Sequence, residues 1–130
     1  NQTHIERLLQ DAGIVRHRGK IEAVINNAKC AQALVEEAGS LAAFFWQFEA
    51  KSDAERIPQS QTTTAESVAL AKALKQRGWK FVGPTTAFAF IQAMGLINDH
   101  APECITRSKV IAARAAFTPP PKLGRITLQY

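Results

Sequence analysis

The chain has 130 residues, with 16 Lys+Arg against 11 Asp+Glu for a formal net charge of +5, and it is 46% hydrophobic and 21% charged. That is one domain with a real core, which excludes extended disorder over most of the length. Two cysteines, Cys30 and Cys104, exclude a disulfide scaffold, no apolar run approaches the roughly 20 residues of a membrane span, and the basic balance biases partners toward polyanions.

A reduced, cytoplasmic setting is the expectation from this cysteine usage. The opening Asn1-Gln2-Thr3-His4 is not a signal peptide and leads directly into a helical pattern, so the chain reads as part of something longer.

Nearly every segment carries a helical period. Ile5, Leu8 and Leu9 form a first stripe that stops at the turn signal Gly13. A second helix is predicted from about Gly19-Lys20, with Ile21, Val24, Ile25, Ala28, Ala31 and Val35 on one face and Gly39 as its stop. Cys30 on that helix reads as a buried structural thiol. Ser40 can cap a short helix over residues 41–48, whose Phe44, Phe45, Trp46 and Phe48 supply bulky core. The polar stretch 50–62, with Pro58, reads as a surface loop.

Thr63 and Glu66 have the spacing of a capping box, and the helix after them places Val68, Ala71 and Leu74 on one face before Gly78. Gly83-Pro84 opens a further helix with proline at its first position, where the missing N–H is no loss. Its Ala87, Phe88, Ala89, Phe90, Ile91, Ala93 and Met94 make it apolar nearly all round, hence central and buried. Residues 112–116 can extend a last helix before Pro119-Pro120-Pro121, and a basic tail follows. The fold class read from this pattern is all-α.

The segment joining the first two helices is the most informative. Gly13 turns the chain, the apolar pair Ile14-Val15 is expected to plug inward, and Arg16-His17-Arg18-Gly19-Lys20 leads into the second helix. Free N–H groups and the helix dipole at such a start suit a phosphate, and Arg16, Arg18 and Lys20 add charge. Glycine at positions 13 and 19 permits close approach of a nucleic-acid backbone. The candidate DNA-binding set is Gly13, Val15, Arg16, His17, Arg18, Gly19 and Lys20. The same layout also serves as a plain helical corner with solvated basic residues, and the residues alone leave both readings open.

His100 and Cys104 are both good zinc ligands, and on one helical turn they would share a face. They are half of a closed structural site, and His4, His17 and Cys30 are scattered elsewhere. Spacing by itself leaves an incidental pair as the alternative.

Three blocks, in matching order and spacing, resemble bacterial 3-methyladenine DNA glycosylase I of the helix-hairpin-helix glycosylase superfamily. They are Asp11 to Ile21, the run Lys72 to Thr86 that contains Gly78-Trp79-Lys80-Phe81-Val82-Gly83-Pro84, and Phe90 to His100. The resemblance spans about residues 3–104, so residues 1–104 are taken as a partial glycosylase domain and residues 105–130 as a divergent basic tail. It implies the helix-hairpin-helix glycosylase fold and hydrolysis of the N-glycosidic bond of 3-methyladenine in double-stranded, alkylated DNA. It also implies a structural zinc whose two C-terminal ligands match His100 and Cys104. The family's lesion pocket, with its glutamate and aromatics, matches a segment expected upstream of Asn1, so no catalytic residue is assigned in this chain.

Glu36 and Glu37 are read as solvated charges ending a helix. Trp79, Lys80 and Phe81 are read as packing and surface residues, and Thr85 and Thr86 as capping residues near a phosphate-compatible helix start. Two outcomes compete: a base-excision enzyme that works only with its remaining half, and a non-catalytic DNA-binding helical module using the hairpin. A half domain should also expose the apolar faces around Phe88, Phe90 and Ile91 and self-associate.

Overall fold

The computed structural model describes residues 1–51 and 57–121. The parts of the expected loop at 52–56 and of the expected basic tail at 122–130 lie outside the described residues. Within them the chain is all-helical: α1 (Gln2–Leu9), α2 (Arg18–Ala38), α3 (Leu41–Phe45) running into a 3-10 turn (Trp46–Phe48), α4 (Ala65–Gln76), α5 (Pro84–Ala93) and α6 (Ile105–Ala116). None of these helices is long and apolar enough to cross a membrane.

Local signals set most boundaries. Asn1 caps α1 by accepting the His4 N–H at 3.0 Å, and Ser40 caps α3 by accepting the Ala43 N–H at 2.9 Å. Gly39, at φ 86°, closes α2 with its N–H on the Val35 carbonyl at 2.8 Å, a backbone conformation that glycine enters without steric cost. Pro84 opens α5 as expected. The capping box of α4 sits one residue later than its sequence spacing suggested. Thr64, not Thr63, accepts the Ser67 N–H at 3.1 Å, and Ser67 Oγ accepts the Thr64 N–H at 2.8 Å. Ser67 is fully buried, so this box satisfies a hydroxyl that would otherwise be costly to bury, whereas Glu66 remains partly in water.

The core gathers Leu34 and Ala38 of α2, Phe44 and Phe48, Leu70, Ala71, Ala73 and Leu74 of α4, Ala87, Phe88 and Ile91 of α5, and Leu96 and Ile97. Its alanines keep facing helices close, and α4 and α5 pack most extensively. Phe44 meets Phe45 and Phe48 with ring centroids 5.4 Å apart in each case, and Phe45 meets Phe90 at 4.7 Å. Val68, expected on the buried face of α4, is instead exposed, because that face centres on Leu70, Ala71 and Leu74.

Two further expectations are overturned. α5 is not covered all round: Ala87, Phe88 and Ile91 face the core, while Ala89, Gln92, Ala93 and Met94 (54% exposed) face outward. Phe88 and Ile91 are therefore buried and Phe90 half-buried, so the apolar surface expected around them is not uncovered. α4 supplies most of the cover, with Phe45 packed on Phe90, and the pattern of α5 by itself could not reveal this.

α6 begins at Ile105, earlier than the sequence pattern indicated, and buries none of its residues. It is fastened at its far end by Arg114, which pairs with Glu49 and lies 4.5 Å over the Trp46 ring. Phe117 stacks on the same indole with a centroid separation of 5.0 Å.

Candidate nucleic-acid interface

The hairpin is built from α1, a turn, and the start of α2. The chain leaves α1 through Gln10 and Asp11, whose N–H groups bond Arg7 and Leu8 carbonyls at 3.2 and 3.1 Å. Asp11 Oδ1 then accepts the Gly13 N–H at 2.8 Å, and a Cβ on Gly13 would lie 3.1 Å from that same oxygen. Glycine is what lets the carboxylate close this turn.

His17 is the N-cap of α2. Its Nδ1 accepts the Lys20 N–H at 3.1 Å, and its carbonyl accepts the Ile21 N–H at 3.0 Å. The ring must therefore carry its proton on Nε2 in this arrangement. Histidine is not among the usual capping types, so this role is not legible from the residue type of His17. Gly19 fits beside the ring: a Cβ there would meet His17 Cε1 at 3.0 Å and Nδ1 at 3.3 Å.

With Lys20 capped, the Arg18 and Gly19 N–H groups are the free donors of the first turn, with no hydrogen-bond partner among the described residues. Residues 11–18 and Lys20 are exposed. The two amides without a partner, the positive end of the α2 dipole and the exposed side chains of Arg16 and Lys20 all lie at the start of α2, a combination that suits an anion.

Arg18 takes a different part from the one its sequence position suggests. It pairs with Glu6 of α1 at 2.6 Å and approaches Glu22 at 3.6 Å, so its guanidinium staples the two arms of the hairpin. The hydrogen bond from Arg18 holds the Glu6 carboxyl below its ordinary range. Ile14 and Val15 do not plug inward: they are 41% and 74% exposed. The main core starts at Leu34, near the far end of α2, and on the two arms beside the bend the buried apolar residues are Ile5, Ile21 and Ala23, not Ile14 and Val15.

His100 and Cys104 are brought together, though not by a helical turn. His100 lies in the connection before α6 and Cys104 is the N-cap of that helix, with Sγ 3.9 Å from His100 Nδ1. Tetrahedral zinc, with bonds of about 2.3 Å to sulfur and about 2.1 Å to nitrogen, would hold two such donors about 3.6 Å apart. The Thr106 amide and then its hydroxyl hydrogen-bond the Cys104 sulfur and hold its thiol below the usual thiol range, which favours the ligating thiolate. The pair thus fits half of a zinc site. Among the described residues no group of three or more His, Cys, Asp or Glu side chains gathers around it or elsewhere.

The remaining candidates fall into packing roles or stay at the surface. Glu37 is held by Arg77 through two bonds, Nε–Oε2 at 2.9 Å and Nη2–Oε1 at 2.6 Å, while Glu36 is exposed. Arg77 also sits 5.2 Å over the Phe44 ring. Trp79 packs against the core, and Phe81, at φ 56°, is 63% exposed. Thr85 and Thr86 do not cap α5, whose N-cap is Gly83 with no side-chain bond. Asn26 and Asn27 on α2, which the sequence did not single out, anchor the loop between α4 and α5 through Gly78 and Lys80 backbone groups at 2.8–2.9 Å.

The profile of the methyladenine glycosylase family matches residues 1–108. The chain belongs to the methyladenine glycosylase family. It is 45% identical over 104 residues to DNA-3-methyladenine glycosylase 1 of Escherichia coli (strain K12), a match covering 77% of this chain and 56% of that protein. Identity to the DNA-3-methyladenine glycosylase of Haemophilus influenzae (strain ATCC 51907 / DSM 11121 / KW20 / Rd) is 39% with the same coverage. A crystal structure of 3-methyladenine DNA glycosylase I superposes with a TM-score of 0.68 at 45% identity, over 81% of this chain and 60% of that one. The Staphylococcus aureus glycosylase I structure that addresses 3-methyladenine recognition gives 0.71 at 31% identity, over 82% and 59%. The methyladenine glycosylase chain described here thus spans little more than half the length of its curated relatives and shares the helical fold of the solved ones over that part.

Proposed function

We propose that this chain acts in base-excision repair, in the removal of 3-methyladenine from alkylated double-stranded DNA in the cytoplasm. In that reaction water adds across the N-glycosidic bond, releasing the free base and leaving an abasic deoxyribose. Methylation at N3 gives the base a positive charge, so it departs as a neutral leaving group and needs little acid catalysis. Such an enzyme must extrude the nucleotide and hold it away from its duplex partner.

The observation that carries this reading is the open start of α2, within a family match that runs from residue 1 to 108. The α1–turn–α2 unit is read as the helix-hairpin-helix that grips the DNA backbone. The Arg18 and Gly19 amides receive a phosphate oxygen, while Arg16 and Lys20 neutralise neighbouring phosphates and displace counterions. Gly13 and Gly19 keep the surface low enough for the backbone to approach, and Val15 presents an apolar contact to the sugar edge. His100 and Cys104 are read as two ligands of a structural zinc, which supplies folding free energy and no step of the chemistry.

A second reading, DNA binding without base release, rests on the open start of α2 alone, since a phosphate contact needs no base pocket. One experiment separates them. The 130-residue protein is assayed for duplex binding and for base release from methylated DNA. Each assay is repeated with the protein joined to the portion of the Escherichia coli relative that the match leaves uncovered. Salt-dependent binding by both, with release by the joined protein, is expected. Release by neither leaves the binding module, and absence of duplex binding by the shorter protein overturns the hairpin grip.

A further inference from the structure

We propose that Arg107, on the first turn of α6, is the positioning residue that holds His100 and Cys104 as a ready-made metal chelate. This rests on the zinc reading above and adds to it a residue for which no function has been given. His100 is pinned at both of its backbone polar groups. Its N–H donates to Asn98 Oδ1 at 3.3 Å, and its carbonyl accepts from Arg107 Nη1 at 2.5 Å. Asn98 Nδ2 donates in turn to the Arg107 carbonyl at 3.1 Å, so Asn98, His100 and Arg107 close a ring. Asn98 is buried, while His100 and Arg107 are half-buried, so the bonds to Asn98 are the better shielded from water.

Cys104 is tied to the same ring through the backbone. Its N–H bonds the Ala101 carbonyl, and its carbonyl accepts the Arg107 N–H, both at 3.0 Å. The backbones of His100 and Cys104 cannot separate without breaking a charge-assisted bond, the stronger class of hydrogen bond, which leaves side-chain rotation as the remaining freedom of the pair. A chelate ordered in advance loses less freedom when metal arrives, and loss of a supporting partner typically lowers metal affinity about 10–100-fold.

The opposite sign is expected if Arg107 acts only as a charge. A guanidinium near the site repels a divalent cation, so deleting it would then tighten binding. Positioning predicts the reverse, and this makes the test decisive.

The 130-residue protein and its Arg107→Met and Arg107→Lys variants are titrated with Co2+ under reducing conditions. The thiolate-to-cobalt charge-transfer absorption is followed, and Zn2+ affinity is then measured against a chromophoric chelator. Arg107→Met should keep the band, showing that Cys104 still ligates, while binding both metals about 10–100-fold more weakly. Arg107→Lys, which retains one donor for the His100 carbonyl, should recover part of that loss. Unchanged or tighter binding by Arg107→Met overturns the positioning role. Absence of the band both in the parent protein and in the protein joined to the uncovered portion of the Escherichia coli relative overturns the zinc reading itself. Should Arg107→Met lose helical circular dichroism, Arg107→Gln decides instead, with weaker binding expected and unchanged binding overturning the proposal.

Discussion

A Cβ placed on Gly19 would lie 3.0 Å from Cε1 of His17, the ring that caps the same helix turn through its bond to the Lys20 amide. The cap and the free amides proposed to meet phosphate therefore share one small space. Gly19→Ala should push the ring off the cap while adding a better helix former, so the two effects on stability oppose each other. The thermal midpoint should move little while duplex affinity falls, because the methyl also stands where a phosphate would approach. Fluorescence anisotropy on a labelled duplex, beside a melting curve, measures both; unchanged affinity would place the phosphate elsewhere.

His17 itself is open to a cleaner stability test. His17→Ala removes the side-chain acceptor of the Lys20 N–H and should cost about 1 kcal/mol, while His17→Asn, a good capping residue, should restore most of it. Urea denaturation of the three proteins gives the comparison. Equal stability of the alanine and asparagine variants would mean that the ring is not capping in solution.

Arg16, Arg18 and Lys20 lie within five residues of one another but should behave differently. Arg16 and Lys20 have no ion pair among the described residues, whereas Arg18 is engaged by Glu6 and Glu22. Arg16→Ala and Lys20→Ala should each weaken duplex binding and lower the salt slope by about one. Arg18→Ala should leave the slope nearly unchanged and show its effect as looser α1 packing. A salt titration of binding for the three variants settles it, and a full unit lost with Arg18→Ala would show that the guanidinium leaves Glu6 for the phosphate.

The Glu37–Arg77 clasp predicts a pH dependence. Hydrogen bonding from Arg77 lowers the Glu37 pKa below its ordinary 4.5. Such a pair contributes fully above the unfolded-state value and loses its contribution as pH falls from there through the lowered folded value. Because the Glu37 side chain is 41% exposed, solvent screening limits its worth to about 0.5–1 kcal/mol. The parent should exceed Glu37→Gln in unfolding free energy by that amount near neutrality, with the gap closing at acid pH. A gap constant down to low pH would contradict the assignment.

α6 buries none of its residues, so its attachment depends on a few polar and aromatic contacts. Arg114→Ala removes the Glu49 pair and the cation on Trp46 together. Amide exchange in residues 105–116 should accelerate well beyond that of α4 and α5, while global unfolding shifts little. Protection that persists in the variant would show that Phe117 on Trp46 suffices.

What could be read from the amino acids alone was whatever is settled within a few residues along the chain. A helix end needs partners for its own backbone groups, so Gly39, Ser40 and Pro84 announce boundaries wherever the helices later dock. The glycines and cations of the hairpin, and the His100–Cys104 spacing, were legible for the same reason. Tertiary structure decided which faces are covered and which charges are spoken for. It left Ile14 and Val15 in water, buried Phe88 and Ile91 in the core where α5 packs on α4, and gave Arg18, Arg77, Arg107 and Arg114 their partners. Burial and pairing are differences between water and a neighbour, and except for Glu22 and the Ala73 carbonyl, on the helices of Arg18 and Arg77 themselves, those neighbours lie on another segment of the chain, where no local spacing can point.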